Sequence, residues 1–136
     1  MSWRQELLDL SARFAAEWPS VEPAVAVRWP GDPTPPPAAA PWLRFAVVPV
    51  SARAVGLVQD GRRLHRHDGL VTIDVFAPPA EGRARLLELA DRAAAILRGW
   101  SEPHLRCGAP ALSVDAAAEG WARASLAVPF ARDTLF

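Results

Sequence analysis

The sequence predicts an α+β domain. Two helices pack on a mostly antiparallel mixed sheet, in the order α-β-β-β-α-β-β, as a two-layer sandwich. Three observations carry this. Two segments, 3–18 and 81–98, repeat apolar residues every three to four positions. Leu70 to Phe76 alternates strictly, with Val71, Ile73 and Val75 on one side and Thr72 and Asp74 on the other. Proline and glycine separate these segments from further short β-like runs.

The first helix has Ser2 at a capping position with Gln5 three residues on. Its stripe is Trp3, Leu7, Leu10, Phe14 and Trp18, and Pro19 is expected to stop it. Ala24–Trp29 reads as a short strand. Residues 30–41 hold six prolines and read as an extended surface loop. Trp42–Val50 is a second strand, with Leu43, Phe45 and Val47 on one side and Pro49 near an edge or exit. Residues 51–68 are polar, glycine-punctuated and arginine-rich, and read as an extended loop or hairpin tip.

The strand at 69–77 leads into the second helix, whose buried face is Leu86, Leu89, Ala90, Ala93, Ile96 and Leu97. Glu81–Arg85 and Glu88–Arg92 have favourable i,i+4 spacing, and Gly99 suits the position after the helix end. Strands near 105–115 and 121–130 follow, turned at 117–120. The second has Ala122, Ala124, Leu126, Val128 and Phe130 facing inward. The whole of 1–136 is one domain, by length and by the lack of internal repeats.

Composition excludes several classes. The 15 basic residues, all arginine, balance 15 acidic ones, so the molecule as a whole does not attract nucleic acid. The single Cys107 allows no internal disulfide, and it reads as a small buried residue. No apolar run is long enough to cross a bilayer, and no signal-type segment opens the chain, so it is expected to be made in the cytoplasm and to touch no membrane. No phosphate loop or nucleophile–base set can be assembled. Neither enzymatic activity nor a cofactor is expected.

His65 and His67 alternate and share a face, but no third ligand stands at zinc-site spacing. They read as solvated or arginine-crowded loop residues, and no metal is expected. Arg62, Arg63 and Arg66 are the one concentration of charge, either solvated or set to contact carboxylates or a phosphate backbone. Asp74 points outward from the central strand, where it either sits beneath covering loops or pairs with an arginine of another chain. Six tryptophans fit a core of half-exposed rings, or an arrangement in which Trp29, Trp42, Trp100 and Trp121 include some that meet a neighbouring subunit. The expected contact set is therefore Trp29, Trp42, Arg62, Arg63, His65, Arg66, His67 and Asp74.

Several runs carry a resemblance. They are Pro23–Trp29, Pro41–Phe45, Gly61-Arg-Arg, Gly69–Pro78, the helix start at Glu81-Gly-Arg-Ala, and Trp121–Phe130. On these the chain resembles the tail-terminator family of long-tailed phages, the lambda type, in the style found in prophages and gene transfer agents of alphaproteobacteria. The resemblance implies a structural virion protein at the head–tail junction, assembled in the host cytoplasm. Six copies would form a ring that caps the tail tube, stops its elongation, docks the neck or head-completion protein, and passes DNA without reading its sequence. Other expectations compatible with the residues are a different head–tail connector, such as a stopper, or a ferredoxin-like dimer that binds a small ligand.

Overall fold

The computed structural model describes residues 3–37, 39–57, 61–118 and 120–135. It has two helices, α1 (Trp3–Val21) and α2 (Gly82–Leu97). The strands are β1 (Ala26–Arg28), β2 (Trp42–Leu57), β3 (Arg63–Ala77), β4 (Ser101–Glu102), β5 (Leu105–Cys107), β6 (Ala111–Ala118) and β7 (Trp121–Leu135). The predicted class holds: two helices on a curled mixed sheet of seven strands.

The sheet runs β1-β2-β3-β7-β5-β4, with β6 also on β7. Only β1 pairs parallel, with β2. The centre is three long antiparallel strands, β2, β3 and β7, of 16, 15 and 15 residues. One edge of β7 is shared, by β6 along 121–127 and by β5 along 130–132.

Alternation of side chains decides what each face buries. Val71, Ile73, Val75 and Ala77 of β3 and Ala124, Leu126, Val128 and Phe130 of β7 point to the helical layer and are buried. Leu43 and Phe45 join them from β2. α2 covers this surface with all six residues expected of it and with Ala94. Each large apolar side chain taken out of water contributes roughly 1.5–3 kcal/mol. Gly99, with φ 66°, follows the helix end as its sequence position suggests.

Four local expectations are corrected. The 51–68 segment takes the hairpin and not the loop alternative, and its strands run further than expected: β2 continues to Leu57 and β3 starts at Arg63, so most of it forms the two arms. Polar sequence hid the strands because this part of the hairpin is largely exposed, so it shows no apolar alternation. Pro19 does not end α1, which runs on to Val21; the proline ring sits on the exposed side. The apolar stripe of α1 passes through Glu6 and not Leu7, since Glu6, Leu10, Phe14 and Trp18 are the buried set. The strand expected at 105–115 is broken by Gly108–Pro110 into β5 and β6. The cap proposed at Ser2 lies outside the described residues.

Candidate partner-binding surfaces

The helices cover one face of the sheet; on the other, the 30–36 segment borders Trp42, Arg44 and Ala46. Trp42, Arg44, Phe76, Asp74, Trp121, Arg123 and Ser125 lie together at one end of this second face. Trp42 stacks on Phe76 at 4.2 Å between centroids and meets Trp121 edge-on at 6.3 Å. This pairing is a register effect, since Trp42 stands opposite Phe76 across β2 and β3. Asp74 accepts from Arg44 at 2.6 Å and from the Ser125 hydroxyl at 2.8 Å, and Arg123 stands 3.6 Å away. Arg44 and Arg123 also lie over the Phe76 ring. Beside them is a shallow cleft of about 400 Å³ bounded by Asp74, Leu112, Ser113, Arg123 and Ser125. Its Ser125–Asp74 pair has no histidine beside it, so it lacks the base that a hydroxyl nucleophile requires.

At the far end of the sheet, the arginine cluster divides. Arg66 donates to both carboxylate oxygens of Asp133, at 2.8 and 3.2 Å, on the adjacent β7. Hydrogen bonding to Arg66 holds the Asp133 carboxyl below its ordinary value, with Arg106 helping, and raises Arg66 in turn. Arg62 and Arg63 are exposed and have no ion-pair partner among the described residues. Arg53, one strand over, pairs with Asp68 at 2.7 Å.

The histidines separate as well. His65 is partly buried, whereas His67 is buried beneath the start of α1, with Nδ1 2.9 Å from Glu6 Oε1 and its ring stacked on Trp3 at 4.6 Å. The solvated-loop reading of His67 is thus corrected: continuing β3 as a strand turns its side chain toward the helices. Arg132, opposite His67 in the register, is also buried and pairs with Asp9. Oε2 of Glu6, Nε of Arg132 and Oγ1 of Thr134 make no hydrogen bond within the described residues. Sequence reasoning missed this cluster. The available signal was Glu6 itself, a carboxylate spaced i, i+4, i+8 with Leu10 and Phe14.

Of the expected contact residues, Trp42 is buried in the subunit at 8% exposure, and Trp29 is half-buried against Phe14 and Phe45. Asp74 is occupied by this chain's own arginines. Arg62 and Arg63 remain fully available at the surface. Cys107 is buried, which pushes its thiol up to about 11 and makes it a poor nucleophile at neutral pH. Among the described residues no cluster of three or more His, Cys, Asp or Glu could hold a metal ion. Among the described residues no helix is long and apolar enough to cross a membrane.

Among the described residues β6 carries no strand on its outer side, and β2 carries none beyond its short pairing with β1. Of the seven large hydrophobic residues recorded as exposed among the described residues, five lie on these strands: Val48, Val50 and Val55 on β2, Leu112 and Val114 on β6. Val50 and Val55 are each the extra residue of a β-bulge, which accounts for their outward aim.

None of the curated proteins matches the chain. A solved structure whose name carries no functional description is similar over 99% of both chains, with a TM-score of 0.69 and 17% identity. At that identity the likeness concerns the fold alone. The family model described as phage tail terminator protein matches residues 8–99, from α1 through α2 and including the whole β2–β3 hairpin. The chain belongs to the phage tail terminator family.

Proposed function

We propose that six copies of this chain close into a ring on the end of a finished tail tube. The ring stops further addition of tube subunits and presents the surface to which the neck or head-completion protein docks. Family membership itself establishes a structural role in a phage tail, as a virion component that meets tail and head proteins. The family is one of structural proteins, not of enzymes.

The observation that supports a ring is the asymmetry of the sheet. Among the described residues it leaves two unlike strands open along much of one side, β2 beyond its pairing with β1 and β6 beyond β7, both with exposed valine or leucine. A cyclic assembly requires such a contact, in which one face meets a different face of the next copy. A balanced formal charge, 15 basic against 15 acidic residues, suits a conduit through which DNA passes, because a strongly basic lumen would retain it.

The test is tail length. Particles assembled without the chain should carry tails of uncontrolled length, and supplying it should restore uniform tails with a six-membered ring at the head-proximal end by electron microscopy. Uniform tails without the protein, or a discrete dimer carrying a ligand, would overturn the reading.

A further inference from the structure

We infer that the ring contact joins the β2–β3 hairpin of one copy to the β6 and β4 edge of the next, with Val50 seated between Leu112 and Val114 and Arg62 and Arg63 directed to Glu102. This inference rests on the ring reading and adds which surfaces close it.

The geometry starts from exposure. Val50 is 64% exposed, the highest of the large hydrophobics among the described residues, although it lies in a strand. Pro49 and the bulges at Val50 and Val55 interrupt the outer ladder of β2, so the edge is guarded against indiscriminate pairing. Only a partner strand whose side chains accept the protruding Val50 fits this edge. β6 offers the complement: Leu112 and Val114 stand opposite Leu126 and Ala124, yet remain 46% and 38% exposed because they lie beyond α2's cover.

The strand register then makes a specific alignment. Ser113 is level with Ser125, Asp74 and Arg44 across the sheet. Placing Ser113 against Val50 of the next copy shifts that copy six positions along the strand, about 20 Å at ~3.3 Å per residue. The width from one β2 to the next, four strand spacings of ~4.8 Å, is also about 20 Å. The ratio corresponds to a strand tilt of ~45°, within reach of sheets that close on themselves. In a ring, every β2 runs the same way along the tilted wall, so β6 meets its neighbour's β2 antiparallel. The same shift brings the hairpin tip to the level of Ala131 and Arg106, end-on to β4. There Glu102 is exposed and has no partner among the described residues, facing the equally unpaired Arg62 and Arg63. Apolar and charged surfaces match under one displacement.

The test uses cysteine pairs in the full chain, V50C combined with L112C, S113C or V114C, in protein assembled on tail tubes. Oxidation should yield a covalent ladder ending at the ring size, and each single variant should yield none; the native Cys107 is buried. A second arm reverses charge: R62E/R63E should abolish assembly, and adding E102R should restore at least half of it. Rings visible by microscopy with no ladder from any pair would overturn this contact and leave the ring standing. Dimers from L112C alone would also overturn it, because they require two-fold pairing of β6. Absence of rings altogether would sink the ring reading and this contact with it.

Discussion

The carboxylate of Glu6 lies 2.9 Å from Nδ1 of His67 where neither side chain reaches solvent, at 0% and 7% exposure. The contact joins the first turns of α1 to the outer half of β3, a place where the rest of the helix uses apolar packing. Trp3 closes it from above by stacking on the imidazole, and Arg132 lies within 3.9 Å of the same carboxylate oxygen. Burying a carboxylate is tolerable only with such partners around it.

Removing one partner should therefore cost more than a surface pair would. Glu6→Ala leaves His67 buried without its hydrogen-bond partner and takes a nearby carboxylate from the buried Arg132, and the expected loss is ~3–5 kcal/mol in urea denaturation. His67→Ala should also destabilise, and the double variant should lose less than the sum of the two. Strict additivity would mean that the contact has no energetic content.

Glu22 ties the end of α1 to α2 by accepting from Arg85 at 3.0 Å and from Arg92. The Arg85 hydrogen bond is the main reason its carboxyl titrates below the ordinary value of 4.5, against the opposing effect of burial. Because the folded value is depressed, the stabilisation is complete above the unfolded value and is lost as pH falls through the folded one. Melting curves from pH 7 to pH 2 should show Glu22→Gln less stable than wild type at neutral pH. The difference should shrink below about pH 4.5. A gap that stayed constant with pH would contradict this assignment.

Gly69 stands where β2, β3 and β7 pack too closely for any side chain. A Cβ there would lie 2.5 Å from the Phe130 ring and 2.7 Å from the Val48 carbonyl oxygen. Gly69→Ala should cost ~1–3 kcal/mol by forced displacement of its neighbours. Phe130→Leu in that background should recover only part of the loss, because the backbone oxygen stays. Gly56→Ala, on the same hairpin with nothing within 4 Å, is the control and should leave the urea midpoint unchanged.

The parts of this fold that were legible in the sequence are those where periodicity and burial coincide. The alternation of Val71, Ile73 and Val75 and the α2 stripe at Leu86, Leu89, Ala93 and Leu97 correspond to real buried faces. The distal hairpin was not legible, because Ser51–Gly56 and Arg63–Arg66 are strands held by backbone pairing and mostly wet side chains. Position in sequence also concealed partners: Arg66 meets Asp133 and His67 meets Glu6 only because β7 and α1 return to β3 from 67 and 61 residues away. Asp74 could be read as an outward-facing carboxylate. That its arginines, Arg44 and Arg123, come from its own sheet depended on register.

The arginine cluster that looks uniform in sequence should behave as two kinds of residue. Arg66 is engaged with Asp133 by two hydrogen bonds across β3 and β7, so Arg66→Glu sets two carboxylates against each other beside Asp68. That variant should lower the melting temperature, and more so in low salt, where like charges repel over a longer range. Arg62→Glu/Arg63→Glu removes no contact present in the subunit, so its melting temperature should equal that of wild type while capping of tail tubes fails. Thermal melts and tail-length measurements on the same two preparations check both halves. Equal melting temperatures for the two variants would mean that the Asp133 pairing contributes nothing to the fold. Normal capping by the Arg62/Arg63 variant would mean that the exposed tip of the hairpin meets no partner.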